Sequence, residues 1–459
     1  MVRVSGWIPT GKLCYKHGMS VCRLILLCLL LMGGIPPLAC DDLPPLGPIP
    51  AEASGPSLDS AAATRAYLAT IPPEAKARSD AYFEGGYWLL LWSTLLSVGV
   101  CLLLLFSGWS AAWRSWAERV VRARFLRNAL YALIFTVVFA ALNFPLSVYQ
   151  DFFREHQYGM ATQTFGAWLA DQLKGLGFLA IIIALLLPAL YAAFRRAPRT
   201  WWLWGSLVLI GFSAVGSVVG PVLIAPRFNE FKPLEDPAVR DPILAMAQAN
   251  QIPGAHVYMV DASRQTKRIS AFVSGGFGVA SISLNDNLLQ RCSLPEIRQV
   301  MAHEMGHYVL NHVYKLLLES AVLTVVGAFF VKLVFDALLR RFGARWRVEG
   351  IADPAAFPVL VLIISVAGLL GTPVNNNIVR EVESEADAFG INTSREPDGM
   401  AQASIKLGEY RKMDPGPVEE FVFFDHPSGR ARIRMAMDWK AAHLPAGGEP
   451  GGLPTSTPP

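Results

Sequence analysis

SLPEIRQVMAHEMGHY, residues 293–308, is the stretch on which the fold of the chain depends. Ser293 followed three residues later by Glu296 is a capping box, in which two side groups satisfy free N–H groups at the start of a helix. Pro295 falls in the first turn, where the missing N–H of a proline costs little. The stretch is therefore predicted to be a helix that starts near Ser293.

The same stretch carries an HExxH motif at residues 303–307. On a helix, His303 and His307 are one turn apart and share a face, and Glu304 lies beside them. Two neutral imidazole nitrogens at this separation can bind one zinc ion, and the carboxylate can accept a proton from a water molecule. We predict one Zn²⁺ per chain, held by the two histidines and a third ligand from elsewhere in the chain. The alternative is a helix with two histidines that bind nothing.

The composition indicates a membrane protein. Hydrophobic residues make up 53% of the 459 residues and charged residues only 17%. The mean hydropathy is +0.37, which is typical of a polytopic membrane protein. The net charge of +4 is too small to indicate nucleic-acid binding. The six cysteines form no CxxC pair, which excludes a thiolate zinc site and leaves histidine and carboxylate as ligands.

Six apolar segments have the length of about 20 residues that a membrane-spanning helix needs. They are residues 87–106, 130–148, 175–194, 202–225, 316–338 and 355–374. We predict a mainly α fold with six to seven transmembrane helices, the seventh depending on residues 1–40. That segment has a short apolar run after several basic residues and is either a signal peptide or a first membrane span.

The segments divide the chain into further parts. After residues 1–40 we predict a loosely ordered, Pro- and Ala-rich extracytoplasmic segment (41–83) and an N-terminal domain of four spans (84–232). A gluzincin-type zinc metallopeptidase domain (233–440) follows, interrupted by spans 316–338 and 355–374. The chain then continues as a disordered tail (441–459). Beyond Asp414 one more helix is predicted before the tail.

Short strand patterns precede the HExxH helix. They predict strands at 256–260, 269–274 and 279–284, of which the last two flank a glycine-rich turn and form a small hairpin. A free hairpin edge beside a protease centre could hold an extended peptide as an added strand. An ordinary structural hairpin would have the same spacing.

Arginines mark alternate loops between the spans. They cluster in residues 114–127, 195–199 and 340–347. The positive-inside bias places these loops in the cytoplasm, and the block 226–315 then lies on the other side. We predict an integral protein of a bacterial inner membrane, in contact with the lipid bilayer, whose zinc domain is extracytoplasmic.

The third ligand is expected after the last two spans, since two crossings return the chain to the side of the zinc helix. Glu381, Glu383 and Glu385 all lie there. Glu383 is preferred because Asp387 follows one turn later on the same face. One carboxylate can then bind metal while the other accepts the outer N–H of a ligating histidine. A solvated acidic helix is the alternative interpretation.

Four further motifs carry a resemblance to a known family. They are YQDFFREHQYG (149–159), IAPRFNEFKPL (224–234), ESEAD (383–387) and HPSGRARI (426–433). With HExxH, they make the chain similar, from about residue 130 to residue 439, to the type I CAAX prenyl endoproteases, which are integral-membrane zinc metallopeptidases. The resemblance implies a ring of helices around a large intramembrane chamber capped by the zinc domain.

The resemblance also implies roles for individual residues. Glu383 would be the third ligand, and Asp387 would be a supporting or proton-donating carboxylate. His426 and Arg432 would contact the substrate and the developing oxyanion. The chain departs from the family at Ser270-Ala271-Phe272, where members have an asparagine that binds the substrate backbone.

We predict a zinc metalloendopeptidase that acts in proteolysis on polypeptide substrates. Prenylated C termini are cytosolic, whereas the arginine loops place the zinc site outside the cytoplasm. The expected substrates are therefore membrane-associated or translocation-stalled polypeptides. A zinc-dependent chaperone or scaffold that binds peptides without hydrolysis is an alternative, although it would not need Glu304. A transporter is disfavoured because the spans hold few ionisable residues. The sequence predicts no oligomeric state.

Overall fold

The computed structural model describes residues 49–54, 58–276 and 279–443. The predicted signal peptide or first span at 1–40 lies outside these residues. The predicted disordered tail also lies outside them, apart from its first three residues, which belong to the last helix.

Helices make up most of the described chain, and the sheet is small. The helices are α1 (Ser60–Ala69), α2 (Pro73–Phe106), α3 (Trp109–Val120), α4 (Arg124–Val148), α5 (Phe165–Arg196), α6 (Trp201–Val219), α7 (Pro237–Ala249), α8 (Asp286–Arg291), α9 (Leu294–Val309), α10 (His312–Trp346), α11 (Phe357–Ser394), α12 (Pro397–Leu407), α13 (Pro417–Phe423) and α14 (Gly429–His443). The strands are β1 (Phe231–Pro233), β2 (His256–Val260), β3 (Ala271–Gly276) and β4 (Val279–Asn285). The prediction of a mainly α protein is confirmed.

Six of these helices, α2, α4, α5, α6, α10 and α11, are long and apolar enough to cross a membrane. Each overlaps one of the six predicted spans. Four of the helices extend beyond their spans at one or both ends, while α6 ends at Val219, before the predicted end of its span at 225, and α11 begins at Phe357, two residues after the predicted start at 355. Two of them also continue through a π-helical turn, α4 at Tyr149–Phe153 and α6 at Gly220–Ile224.

The three arginine-bearing loops gather at one end of the helices. Ser110 Oγ donates to the carbonyl oxygen of Ala355 at 2.8 Å, and Arg114 Nη1 lies 2.6 Å from Asp353 Oδ2. Tyr191 OH donates to the carbonyl oxygen of Pro354 at 3.4 Å. These contacts join the three loops, as alternate crossings of a bilayer require.

The sheet has the strand order β1-β2-β4-β3. Strands β3 and β4 form the predicted antiparallel hairpin, β4 pairs in parallel with β2, and β2 pairs antiparallel with β1. The predicted strand at 256–260 and the hairpin are confirmed, while the three-residue β1 was not expected. Helix α9 packs on the sheet through buried apolar side chains, among them Ile282, Leu284, Met301 and Met305. Strand β3 is left at an edge, beside α9.

The prediction of a loosely ordered segment at 41–83 is wrong for its second half. Helix α1 occupies Ser60–Ala69 and is capped by Asp59, whose side chain accepts from Ala61 N. Tyr67 is 2% exposed, and its hydroxyl donates to Asp398 Oδ1 at 2.7 Å. The alanines that suggested disorder are strong helix formers, and Pro73 occupies the first turn of α2, where proline is tolerated.

The C-terminal region contains two helices where one was predicted. Helices α13 and α14 are separated by residues 424–428. Helix α14 packs with α1 in one apolar cluster that includes Ile433 and Met437. The short connection between α13 and α14 carries His426 to the site described next.

Candidate metal centre

Helix α9 begins as the capping box predicts. The Ser293 side chain accepts a hydrogen bond from the backbone N–H of Glu296, and the Glu296 carboxylate accepts one from the backbone N–H of Ser293. Pro295 lies in the first turn. Glu296 is 1% exposed and is also bound by Lys406 Nζ at 2.8 Å. The cap therefore anchors the helix start in the interior, which sets the position of the histidines three turns later.

Two glycines let α9 and α11 cross at close range. A Cβ atom on Gly390 would lie 3.0 Å from the backbone nitrogen of His303 and 3.1 Å from its Cα. A Cβ atom on Gly306 would lie 3.1 Å from a ring carbon of Phe389 and 3.3 Å from Cα of Ala386. Larger residues would separate the helices, so these glycines bring the carboxylates of α11 beside the histidines of α9.

Three side chains converge at this crossing. The Nε2 atoms of His303 and His307 are 3.2 Å apart. Glu383 Oε2 is 3.3 Å from the first and Glu383 Oε1 is 3.5 Å from the second. A tetrahedral zinc ion with bonds of about 2.0–2.1 Å has ligand atoms about 3.3–3.4 Å apart. The three side chains therefore fit a zinc ion without rearrangement, and they form a group that could hold a metal.

The other two candidate glutamates face away from this group. Lys315 Nζ lies 3.6 Å from Glu381 Oε1 and 2.9 Å from Glu385 Oε1. Glu381 is exposed, with 68% of its side-chain surface accessible. The geometry thus favours Glu383 among the three.

The outer nitrogen of each histidine has a partner. His303 Nδ1 lies 2.8 Å from Asp387 Oδ1, as the spacing of Glu383 and Asp387 predicted. His307 Nδ1 lies 2.9 Å from His312 Nδ1, and His312 Nε2 lies 3.1 Å from Glu385 Oε2. Such partners fix the orientation and tautomer of ligating imidazoles.

Sequence reasoning missed His312. This residue is 1% exposed, and it starts α10 directly after Asn311, whose φ of 57° turns the chain sharply between the two helices. The signal was a further histidine five residues after His307, but only the turn at Asn311 brings its ring to the outer nitrogen of His307.

Arg432 lies against two carboxylates of the site. Its Nε donates to Asp387 Oδ2 at 2.7 Å and its Nη2 to Glu383 Oε2 at 3.2 Å, and the residue is 8% exposed. The structure places the guanidinium on two carboxylates of the site, where it can orient both. The contact with the substrate and the oxyanion that the resemblance implies stays a prediction.

His426 reaches the site from the connection between α13 and α14. Its Nε2 lies 3.2 Å from Glu383 Oε2, and its Nδ1 lies 2.7 Å from Asp425 Oδ1. All seven residues predicted for the site therefore lie together: His303, Glu304, His307, Glu383, Asp387, His426 and Arg432 line one cavity of about 370 Å³.

The pKa values of two α9 side chains, Glu304 and His307, suit a metal-dependent hydrolysis. Burial raises the pKa of Glu304 to about 7, although the neighbouring His303 opposes the shift. Burial also lowers the pKa of His307 to about 4, which keeps its imidazole neutral and able to bind metal. A carboxyl group with a pKa near neutral can both accept and return a proton.

A second cavity of about 720 Å³ is lined by α2, by the start of α5, by the segment that follows α4 and by the loop at residues 265–268. Its lining is largely polar and includes Ser93, Gln150, Glu155 and Gln172. Arg268 lines both this cavity and the one that holds the metal centre.

Together, a polytopic membrane fold and an HExxH helix completed by a glutamate from a later helix define an integral-membrane metallopeptidase. Residues 60–230 match the family model for the N-terminal domain of CAAX prenyl proteases, and residues 233–440 match the model of peptidase family M48. The chain belongs to peptidase family M48 and is an integral-membrane metalloendopeptidase.

Individual relatives agree with this assignment. An uncharacterized metalloprotease of Bacillus subtilis, YhfN, is 28% identical over 368 residues, which cover 80% of this chain and 86% of the relative. A CAAX prenyl protease 1 homolog of Arabidopsis thaliana is 29% identical over 306 residues, or 64% of this chain and 69% of the relative. The crystal structure of S. mikatae Ste24p superposes with a TM-score of 0.68 at 21% identity, covering 80% of this chain and 90% of that structure. The resemblance predicted from the motifs is confirmed.

Proposed function

We propose that this metalloendopeptidase uses one zinc ion held by His303, His307 and Glu383 and cleaves membrane-associated polypeptides. The observation that carries the ligand set is the spacing of the ligand atoms: the two Nε2 atoms are 3.2 Å apart, and each lies 3.3 or 3.5 Å from one of the two carboxylate oxygens of Glu383. Hydrolytic zinc sites use the same kind of donor set, two imidazoles and one carboxylate with a fourth position left for water. Family M48 implies a metal, and this donor set favours zinc.

The residues around the proposed zinc site have different roles in peptide hydrolysis. Bound zinc would polarise the scissile carbonyl and make a water molecule more acidic. Glu304 receives a proton from the attacking water and returns it to the leaving amine. His426 donates from Nε2 to the developing oxyanion, a contact of a kind that contributes about 3 kcal/mol. Asp387 and Arg432 keep His303 and Glu383 in position.

The substrate class follows from the surroundings of the site. Arg268 lines both the catalytic cavity and the second cavity, so a polypeptide that occupies the second cavity would lie next to the metal site. The edge strand β3 can pair with its backbone. The plant relative is named a CAAX prenyl protease homolog. However, the arginine loops favour an extracytoplasmic metal centre, so we propose membrane-associated or translocation-stalled polypeptides of a bacterial inner membrane as substrates.

The test uses three variants of purified protein. Glu304→Gln should retain about one zinc per chain, because no ligand is changed. Its peptide-cleavage rate should fall about 10²–10⁴-fold, because the general base is removed. Glu383→Ala should lose the zinc. Glu381→Ala is the matched control, since this exposed glutamate lies two residues away on the same helix, and it should keep both metal and activity.

Metal content and cleavage of a fluorogenic peptide, with and without a zinc chelator, are the measurements. Stoichiometric zinc in Glu383→Ala would refute the ligand set. Activity of Glu304→Gln above about one percent of wild type would refute its role as base.

A further inference from the structure

Two arginines of the catalytic cavity carry buried N–H groups that have no partner among the described residues. They are Nε of Arg268 and Nη1 of Arg411. Both side chains line the cavity that holds His303, His307 and Glu383. Donors that are cut off from water are normally bonded, so an unmet pair in one cavity indicates a missing acceptor.

Arg411 is the stronger case. Among the residues that the structure describes, it makes neither a hydrogen bond nor an ion pair, and burial lowers its pKa. The nearby carboxylates are already engaged. Asp387 and Glu383 bind Arg432, and Asp425 binds His426. A guanidinium nitrogen that is kept from water without an acceptor is costly, so Nη1 of Arg411 calls for an acceptor from outside the chain.

Both guanidinium groups lie near the ring of one tyrosine. Arg268 Cζ lies 5.4 Å and Arg411 Cζ 5.9 Å from the ring centroid of Tyr410. Tyr410 OH donates to the carbonyl oxygen of Ile269 at 3.3 Å, just before strand β3. Arg268 is also held by Glu155, whose Oε2 is 2.7 Å from its Nη2. The unmet donors therefore sit beside the edge strand along which a peptide would lie.

We propose that Arg411 and Arg268 bind a carboxylate of the peptide substrate, so that the enzyme selects peptides with an acidic group close to the scissile bond. This proposal rests on the proposed function of the same cavity. The carboxylate is either an Asp or Glu side chain or the C-terminal carboxylate of the peptide. Guanidinium groups bind carboxylates through strong, charge-assisted hydrogen bonds.

The test measures binding to the Glu304→Gln protein, which does not consume the peptide. Labelled peptides are compared in two matched pairs. The members of the first pair differ in having a free or an amidated C terminus. Both members of the second pair are amidated, and they differ in having Glu or Gln beside the cleavage site. At least one pair should show about 10- to 100-fold tighter binding of the acidic member, the range expected for hydrogen bonds to a charged group. The pair that responds identifies the source of the carboxylate.

Arg411→Gln in the same background should bring this ratio close to one. Arg434→Gln, which alters an exposed arginine of α14 paired with Asp438, is the control and should leave the ratio unchanged. Arg411→Lys keeps the positive charge and should retain part of the preference. The melting temperature of Arg411→Gln should not fall, because the variant removes an N–H group that is buried without a partner.

Equal binding of both members in both pairs, or a ratio that survives Arg411→Gln, would overturn the proposal. Cleavage of the same peptides by wild-type protein separates this result from the proposed function. A wild type that binds acidic peptides selectively but cleaves none refutes the hydrolytic role alone. A wild type that cleaves acidic and neutral peptides equally well refutes the carboxylate site alone.

Discussion

His303 and His307 differ in what holds their outer nitrogens. The partner of His303 is the carboxylate of Asp387, and that of His307 is the imidazole of His312. Beyond His312, the contacts continue to Glu385, which Lys315 binds at 2.9 Å. One ligand is thus oriented by a buried carboxylate, whereas the other is oriented through a chain of side chains that ends at the surface.

Replacing His312 by alanine should weaken zinc binding about 10- to 100-fold, because His307 loses the group that orients its ring. The affinity can be measured by competition with a chromophoric chelator, which does not depend on activity. His256→Ala, at an exposed position of β2, is the matched control and should bind zinc as wild type does. Unchanged affinity in His312→Ala would show that His307 needs no such partner.

At the scale of elements, the site depends on the crossing of α9 and α11. Gly306 and Gly390 allow close contact between the two helices there. The neighbours of Gly390 include backbone atoms of His303, which cannot move away from an added Cβ atom as a flexible side chain could. A tightly packed interior tolerates an added methyl group poorly at such a place. The distance between the two helices thereby sets the distance between the third ligand and the histidines.

Gly390→Ala should therefore destabilise the protein by about 1–3 kcal/mol and weaken zinc binding. The control is Gly368→Ala in the same helix, where an added Cβ meets nothing within 4 Å. It should leave both properties unchanged. Thermal unfolding in detergent and chelator competition are the measurements, and wild-type behaviour of Gly390→Ala would contradict the close crossing.

The sequence predicted those features that depend on local pattern. The capping box placed α9, apolar length placed the six spans, and alternation placed the hairpin. Glu383 was favoured through the spacing to Asp387, which the contact of Asp387 with His303 now matches. Contacts that only the tertiary fold creates were beyond these patterns. The carboxylate pair of Arg432, the burial of α1 and the contact of His312 with His307 are the examples.

At the scale of the whole molecule, the arginine loops and the metal centre lie far apart. The loops contact one another near Ala355, and α11 then runs from Phe357 to Glu383 without interruption. At 1.5 Å per residue this is about 40 Å, more than the hydrocarbon thickness of about 30 Å. The metal centre and the loops should therefore occupy opposite sides of the membrane.

Single cysteines introduced at exposed positions test the orientation. Asp438→Cys in α14 should react with a membrane-impermeant maleimide in intact spheroplasts, because we place the metal domain outside the cytoplasm. Arg119→Cys in α3 should react only after permeabilisation. The same protein without added cysteines provides the background. The opposite labelling pattern would place the metal centre in the cytoplasm and make a prenylated substrate accessible.

Helix α11 is at once a membrane span and the carrier of Glu383, the proposed third ligand. A helix that crosses a bilayer adapts to a change in lipid thickness by tilting or by bending, and Pro373 lies inside α11. Its far end then shifts relative to α9, and with it the carboxylate of Glu383. Shorter or longer acyl chains would thereby alter how tightly the ion is held, and the surrounding lipid would act as a control on the enzyme.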